Sequence, residues 1–261
     1  LGMPRAILNV SADAIRANWV VRVSDVAPDG SVTQVGGAAF NGTHRNSARE
    51  PQSVVPGEVF PLEIEMHFTS WVFAKGHKIR FAISNSMWPM LWPTPYPMTT
   101  TLEIGGDNGA RLELPVIPFE NRATPIFKTP EEDPSLAGFG SIDGGNATGY
   151  AEIDTIQIDE KTGEAYGFAL NGTASQFPWG IERFEEKLEH RTSDANPAQT
   201  SVTGIYAVVK EVEGRTLRLE QDVEFKSDEN NFRLIFIRRI KVNGELLHEK
   251  KWDEIIPRDF Q

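Results

Sequence analysis

The stretch Phe60-Pro61-Leu62-Glu63-Ile64-Glu65-Met66 decides the fold class of the first half of this 261-residue chain. Apolar residues occupy every second position, and proline or glutamate fills the positions between them. This period of two is typical of a strand with one buried face, because successive side chains of a strand point to opposite sides of the sheet. The stretch therefore predicts a β-strand rather than a helix.

Five further runs in residues 1–118 have the same β-like character. Turn-forming groups such as Pro28-Asp29-Gly30, Asn41-Gly42 and Pro56-Gly57 separate them, and these residue types supply the positive or preset φ angles of tight turns. No amphipathic helix pattern lies between the runs, so we expect an all-β fold, a jelly-roll β-sandwich of the galactose-binding-domain-like kind. Besides 59–66, the predicted strands are 5–10, 19–23, 34–40, 78–84 and 99–104.

The second half of the chain predicts a separate antiparallel β domain that is built as a meander. Asn243-Gly244 between two alternating runs is the strongest short hairpin signal in this half, because both residue types adopt the positive φ that a two-residue turn requires. We therefore expect one hairpin over 232–252. The predicted strands are 204–212, 216–225, 232–242 and 246–252.

Residues 179–190 fit two patterns. A helix would place Ile181, Phe184 and Leu188 on one face, whereas a strand would point Trp179, Ile181 and Leu188 inward. Twelve residues are too few for hydrophobic periodicity to separate a helix from a strand. The pattern by itself leaves both interpretations open.

A connector is predicted between the two halves. Five prolines lie from Pro115 to Pro134, and a glycine-rich stretch follows at 138–145. Proline cannot donate to a sheet ladder and glycine weakens a strand. We therefore divide the chain into a jelly-roll β-sandwich at 1–118, a Pro/Gly-rich linker at 119–147 and an acidic antiparallel β domain at 148–261.

Charge separates the two halves as well. Residues 1–118 carry 9 Lys and Arg against 10 Asp and Glu, whereas 119–261 carry 17 against 27, so the net charge of −11 belongs almost entirely to the second half. This acidity argues against nucleic acid as a partner, because phosphate binding needs clustered Lys and Arg. No run approaches the roughly 18 apolar residues of a membrane span, so no membrane partner is expected. Zero cysteines exclude disulfides and thiolate zinc sites.

The first residues, Leu1-Gly2-Met3-Pro4, have neither a basic start nor an apolar signal stretch. We expect the native N-terminus to lie upstream of Leu1, and we expect a cytoplasmic location. Glycosylation-type triplets carry little weight without a secretion signal, since such short patterns arise by chance. They begin at Asn41, Asn146 and Asn171.

No motif for a catalytic nucleophile stands in this chain. A nucleophile elbow reads Gly-x-Ser-x-Gly, and the nearest stretch, Gly138-Phe139-Gly140-Ser141-Ile142-Asp143-Gly144, lacks that spacing. His67 and His77 flank Trp71 without a third ligand at a supporting distance along the chain, so no metal site is predicted. None of the five histidines has a neighbour in sequence that marks it as a base. We expect no catalytic residue and no cofactor.

Residues 87–98 form the most unusual segment, a run rich in aromatic residues and proline. Its prolines forbid a regular helix or a central strand, so Trp88, Trp92 and Tyr96 are predicted on an extended loop. Three interpretations stay open for this loop. It covers its own sandwich, it docks against a partner domain, or its rings stack on sugars.

Several features of the first half follow one another in the order found in an enzyme family. Residues 19–31 contain Asp25-Val26-Ala27-Pro28-Asp29-Gly30, and Gly76-His77-Lys78-Ile79-Arg80 follows at a distance, before Ser84-Asn85-Ser86 and Trp88-Pro89. This combination resembles the C-terminal domain of X-Pro dipeptidyl-peptidases. The wider family is the CocE/NonD serine hydrolases, which includes cocaine esterase and α-amino-acid ester hydrolases. The resemblance covers about residues 1–118.

The resemblance implies a bacterial protein in which the jelly-roll domain follows an α/β-hydrolase domain with a Ser-Asp-His triad. That missing α/β-hydrolase domain of the same polypeptide is then the expected partner. Trp88, Trp92 and Tyr96 are our candidates for contact with it and for one wall of the substrate pocket. The chain alone is predicted to be inactive, and its parent is predicted to be a serine hydrolase of the dipeptidyl-peptidase or esterase type.

The matched residues are expected to determine the fold rather than to perform chemistry. Asp25 and Asp29 are predicted to close an Asx-type turn, and a strand from 78 is predicted to turn Ile79 inward, together with Phe81 and Ile83. The residues of this structural motif are Asp25, Pro28, Asp29, Gly30, Gly76, His77 and Arg80, with Lys78 and Arg80 expected to face outward.

The ending Trp252 to Asp259, with its Ile-Pro-Arg-Asp, resembles a β-rich extension of some bacterial members. In those members the segment equivalent to 179–190 is a strand, which favours the strand interpretation here. Two other functions stay open beside the accessory role. One is a free-standing carbohydrate-binding β-sandwich that uses the loop of Trp88 and Trp92, and the other is a homo-oligomer held together by the acidic second half.

Overall fold

The computed structural model describes residues 1–118, 123, 125–131, 136–142 and 153–261. Within these ranges it contains fifteen β-strands and one short 3-10 helix, η1 at Gly42–His44, so the predicted all-β class is confirmed. No helix of this part of the chain is long and apolar enough to cross a membrane. The chain divides into two compact units: Leu1–Thr124 with Asp259–Gln261, and Pro125–Arg258.

The first unit consists of two antiparallel sheets. In one sheet β1 lies at the centre, with β4 on one side and β6 and β7 on the other, and in the second sheet the order is β3-β2-β5. The strands are β1 Arg5–Ala12, β2 Asn18–Val26, β3 Val32–Asn41, β4 Phe60–Glu65, β5 Lys78–Ser84, β6 Thr100–Leu102 and β7 Arg111–Glu113. Each lies within two residues of its predicted bounds at most ends, and β7 was not predicted.

One hydrophobic core lies between these two sheets. The alternation in β4 is confirmed, because Phe60, Leu62 and Ile64 are buried while the residues between them are exposed. Trp19 of β2 is 2% exposed and meets the Phe60 ring edge-on, with 5.4 Å between ring centroids. Burial of each such side chain stabilises the fold by roughly 1.5–3 kcal/mol. The two sheets therefore pack as a β-sandwich, and the jelly-roll connectivity stays a prediction.

In its described residues the second unit contains one antiparallel sheet of eight strands, and the predicted meander is observed. The strand order is β15-β14-β13-β12-β11-β10-β8, with β9 also paired to β10. The strands are β8 Gly140–Ser141, β9 Ile153–Asp159, β10 Glu164–Phe177, β11 Gly180–Ser193, β12 Ser201–Val212, β13 Arg215–Ser227, β14 Asn231–Val242 and β15 Glu245–Pro257.

The hairpin predicted for 232–252 is confirmed. Asn243 and Gly244 have φ angles of 51° and 87°, which are the two positive values of the turn that matches the twist of the flanking strands. Asn243 also accepts a hydrogen bond from the backbone N–H of Thr216 at 2.9 Å through its side-chain oxygen. The turn is therefore fixed both by its own backbone and by the neighbouring strand.

The open segment 179–190 is a strand, within β11. The strand interpretation was wrong in one respect, because Ile181 and Leu188 are seven positions apart and therefore lie on opposite faces. Leu188 shares its face with Phe184, whose ring stacks on Tyr206 with 6.1 Å between centroids. Trp179 lies in the turn before β11 and stacks on Phe177 at 4.9 Å.

The predicted linker at 119–147 lies mostly outside the described residues, since 119–122, 124, 132–135 and 143–147 of it are among those without description. Within it, Gly140–Ser141 forms β8 and pairs with Ser175 and Gln176 of β10. The stretch 140–141 thus belongs to the sheet of the second unit. The domain boundaries at 118 and 148 stay a proposal.

Candidate functional site

A buried carboxylate organises one end of the first unit. Asp25, near the end of β2, is 5% exposed and accepts hydrogen bonds from Trp71 Nε1 at 3.0 Å and from His77 Nδ1 at 2.8 Å. A buried carboxylate is costly unless such donors satisfy it. Asp25 therefore fixes both Trp71 and His77, which lie in the loop between β4 and β5.

The partner of His77 decides its tautomer. An ionised carboxylate only accepts hydrogen bonds, so Nδ1 of His77 donates to Asp25 and Nε2 is the ring nitrogen that is free to accept when the ring is neutral. The imidazole is 25% exposed. The sequence offered no neighbour that marks His77 as a base, and Asp25 has no signature there because it is 52 residues away in sequence and adjacent only in the fold.

The backbone of the same loop is also held in place. Thr69 exchanges two backbone hydrogen bonds with Gly2, at 3.0 and 2.9 Å, and its hydroxyl donates to the carbonyl of Val35 at 3.1 Å. At its other end, the N–H of His77 donates to the carbonyl of Ala74 at 3.1 Å. The loop 67–77 is thus tied to the fold by Thr69 at one end and by the bond of His77 to Asp25 at the other.

This fixed loop exposes apolar side chains. Phe68 is 61% exposed, Trp71 41% and Val72 84%. Ile79 of β5, which pairs directly with Asp25, is 50% exposed. We refer to Phe68, Trp71, Val72 and Ile79 as the apolar patch.

Ile79 was predicted to turn inward with Phe81 and Ile83, and it is half-exposed although it alternates with them along β5. Its neighbours Phe81 and Ile83 do pack against the hydrophobic core, while Lys78 and Arg80 are exposed as expected. Ile79 lies closer to the open end of the sheet than Phe81 does, and there the core no longer covers that face.

The turn after β2 uses only one of the two aspartates that were predicted to close it. Asp29 Oδ1 accepts from the backbone N–H of Ser31 at 2.9 Å and from its hydroxyl at 2.7 Å, which forms an Asx-type turn. The bond from the Ser31 N–H is the main reason that the pKa of Asp29 is lowered. Asp25 takes no part in this turn, because its carboxylate points to Trp71 and His77.

Two glycines of the motif are required by backbone conformation. Gly30 has φ of 89° and its N–H donates to Ala27 at 2.9 Å, while Gly76 has φ of 90° directly before His77. L-residues with a side chain seldom adopt this region. A Cβ on Gly76 would lie 3.8 Å from the Pro28 ring, so backbone strain rather than lack of space excludes other residues there.

The aromatic candidates Trp88, Trp92 and Tyr96 are half-buried in the structure. Tyr96 lies under the guanidinium of Arg16, at 5.8 Å from the ring centroid. The peptide bond between Trp88 and Pro89 is cis. Met90 of this loop is 76% exposed. The aromatic rings are less exposed than the sequence suggested.

Two of the Asn-x-Thr asparagines and His190 lie in described parts of the fold. Asn171 is 7% exposed, so it lies out of reach of a glycosylating enzyme, and Asn41 caps η1 with its side chain. Asn146 lies outside the described residues. Burial lowers the pKa of His190. In the described part of the chain, no group of three or more His, Cys, Asp or Glu side chains could hold a metal ion.

The first unit is similar in sequence to a known family of domains. Residues 1–126 match the family model described as the X-Pro dipeptidyl-peptidase C-terminal non-catalytic domain. Cocaine esterase of Rhodococcus sp. (strain MB1 Bresler) is 31% identical over 88 residues, which are 34% of this chain and 15% of the esterase. The chain thus spans less than a fifth of the length of this relative.

Two solved structures are similar over the same share of the chain. An aminopeptidase from the marine sediment archaeon Thaumarchaeota archaeon is 28% identical, with a TM-score of 0.34 over 34% of this chain and 16% of that one. An α-amino acid ester hydrolase is 24% identical, with a TM-score of 0.33 and the same two coverages.

Proposed function

We propose that this chain, whose residues 1–126 match the X-Pro dipeptidyl-peptidase C-terminal non-catalytic domain, is the accessory region of a serine acyl hydrolase or peptidase of the CocE/NonD type. In this proposal the first unit packs on the α/β-hydrolase domain of the same polypeptide and helps to shape its substrate pocket. The chain supplies no catalytic residue.

The apolar patch is the observation that carries this proposal. Phe68 and Val72 are both more than half exposed, although they are large apolar side chains. Exposed large apolar side chains that are close together in sequence are expected at protein–protein contacts. The loop that presents it is already ordered by the bonds to Asp25, so that docking costs little additional conformational entropy.

The loop of Trp88, Trp92 and Tyr96 is proposed as the part that faces the pocket. Its rings are half-buried and its prolines restrict the backbone, so it can present a wall of fixed shape. Met90 at 76% exposure is the residue of this loop that we expect to contact the catalytic domain first.

The first test is the reading frame upstream of the codon for Leu1. We expect it to encode an α/β-hydrolase domain with a Gly-x-Ser-x-Gly elbow. If neither that reading frame nor an adjacent gene encodes such a domain, the accessory role is wrong. Oligosaccharide binding that quenches tryptophan fluorescence, and is lost in Trp88→Ala, would then support the carbohydrate-binding module.

The second test asks whether the apolar patch in particular binds the catalytic domain, or whether any exposed apolar side chains of the first unit do so. The upstream domain is expressed separately and its affinity for this chain is measured with the double variant Phe68→Ser/Val72→Ser. We expect at least a tenfold loss of affinity, since an interface loses two central apolar contacts. The matched control is Ile104→Ser/Val116→Ser, two residues of the same unit that are 80% and 82% exposed. Equal affinity of both double variants and the wild type would contradict the proposed surface.

A further inference from the structure

The last three residues of the sequence fold with the first unit, although they follow the whole second unit in the chain. Asn41 Nδ2 donates to the carbonyl of Phe260 at 2.8 Å, and Arg16 Nη1 lies 3.5 Å from the carbonyl of Gln261. Thr43 Oγ1 lies 3.2 Å from the same Phe260 carbonyl. Each of these contacts reaches a main-chain oxygen of the segment 259–261, so these bonds do not require particular side chains in it.

Bonds within the first unit also orient these donors. Asn41 Oδ1 accepts from the backbone N–H of Thr43 at 3.0 Å, which caps η1 and aims Nδ2 outward. Thr43 is 1% exposed, and its single hydroxyl proton is within reach of both Asn41 Oδ1, at 2.8 Å, and the Phe260 carbonyl. Asn41 is therefore the principal donor and Thr43 a secondary one.

This cluster lies directly on the hydrophobic core. The N–H of Gly42 donates to the carbonyl of Ala17 at 2.9 Å, and a Cβ on Gly42 would come within 2.3 Å of the Trp19 ring. The 3-10 turn thus rests on Trp19 with no space for a side chain between them.

The residue before the segment is fixed by other contacts. Arg258 is 1% exposed, donates its backbone N–H to the carbonyl of Asn230 at 2.8 Å and donates from its guanidinium to the carbonyl of Asp228 at 3.0 Å. The guanidinium also lies 4.8 Å from the centroid of the Phe232 ring. Asp259 then has φ of 34°, a left-handed conformation that aspartate adopts more readily than most residues. The Ile-Pro-Arg-Asp ending thus serves to anchor and turn the chain.

We infer that Arg16, Asn41 and Thr43 form a peptide-recognition site of the first unit, and that its occupant is the backbone of segment 259–261. The first unit is complete only with this segment in place. Because the bonds go to main-chain carbonyls, a separate peptide of the same sequence binds the site when the segment is removed from the chain.

Amide hydrogen exchange on the full chain tests this inference with a double-mutant cycle. The variants are deletion of residues 260–261, Asn41→Asp, and both together. Asp caps a helical turn as well as Asn does, so Asn41→Asp keeps η1 but removes the donor to Phe260. We expect each change alone to accelerate exchange at 42–44 at least tenfold, and the combination to add little, because both remove the same interaction.

Two further measurements complete the test. The control Asn46→Asp introduces the same charge in the neighbouring loop, at an exposed residue, and is expected to leave exchange at 42–44 unchanged. An acetylated Arg-Asp-Phe-Gln peptide is expected to slow that exchange again in the deletion variant, but not when Asn41→Asp is also present. Unchanged exchange after the deletion, additive effects in the double variant, or equal peptide protection with and without Asn41→Asp would each overturn the inference.

Discussion

Asp25 shows how a single buried residue determines the conformation of an exposed loop. Its carboxylate receives two donors from a loop that begins 42 residues later in the chain, at 67, and both donors are aromatic rings with large surfaces. Net stabilisation by such hydrogen bonds is about 1–3 kcal/mol each when the acceptor is charged. The residue therefore contributes mainly through the order it imposes on Trp71 and His77.

Replacement of Asp25 tests this role. Asp25→Ala leaves the N–H groups of Trp71 and His77 without their acceptor, and we expect a loss of about 2–3 kcal/mol in the free energy of unfolding of the first unit. Asp25→Asn should cost less, because the amide oxygen can accept from Trp71 while its NH₂ donates to the other tautomer of His77.

The measurement is urea denaturation together with the rate of tryptic cleavage after Lys75, an exposed residue inside the loop. We expect cleavage to accelerate in the order wild type, Asp25→Asn, Asp25→Ala. The control is Asp29→Asn, since asparagine forms the same turn. Cleavage at an unchanged rate in Asp25→Ala would show that the loop is ordered by its backbone bonds alone.

At the level of elements, the sheet of the second unit has two different faces. One face carries aromatic pairs such as Phe225 with Phe232, at 5.3 Å, and Phe236 with Trp252, at 5.4 Å. The other face carries rows of opposite charges across neighbouring strands. Glu220 of β13 lies there 2.7 Å from Lys241 of the neighbouring β14, and it also accepts from Arg218 of its own strand at 2.6 Å. Cross-strand pairs of this kind fix the register of the strands.

The charged face gives a pH dependence with a defined sign. The bonds from Lys241 and then Arg218 lower the pKa of Glu220 below its usual value of 4.5. A group whose pKa is lower in the folded state contributes stability above the unfolded pKa, and that contribution is lost as pH falls through the folded pKa. We expect Glu220→Gln to lower the free energy of unfolding at pH 7 by no more than about 1 kcal/mol, because solvent screens these pairs.

The free energy of unfolding is measured by urea denaturation at pH 7, 5 and 3, with the circular dichroism of the β-sheet as the signal. The difference between Glu220→Gln and the wild type should be largest at pH 7 and should shrink toward pH 3. Glu229→Gln, in the exposed turn after β13, is the control for the loss of one charge. A difference that grows on acidification would contradict the sign.

At the level of the whole molecule, the chain combines two units with different charge and different architecture. We expect the purified chain to hydrolyse neither p-nitrophenyl esters nor X-Pro amides, because the sequence holds no nucleophile elbow. The assay compares the chain with the restored full-length polypeptide, for which we expect turnover. Turnover by the isolated chain that a serine-directed organophosphonate abolishes would contradict the accessory role.

Much of the fold could be predicted from local pattern. The alternation of Phe60, Leu62 and Ile64 follows from the pleat of a strand, and Asn243-Gly244 sets its hairpin through its own φ angles. The faces of β11 were less certain, because a period of two must be applied strictly over seven residues to separate Ile181 from Leu188. The sequence predicted the loop of Trp88, Trp92 and Tyr96, but not how exposed its rings are, because exposure depends on which residues pack beside them in the fold.

The sequence by itself determined the all-β class, the hairpin and the absence of a nucleophile motif, because each depends on residues within a few positions of one another. Only the tertiary structure decided that Asp25 lies against Trp71 and His77 instead of in the Asp29 turn. It also decided that Asn41 receives Phe260 from the far end of the chain. Neither contact has a local signature, since a hydrogen bond between distant residues depends on how the whole backbone brings them together.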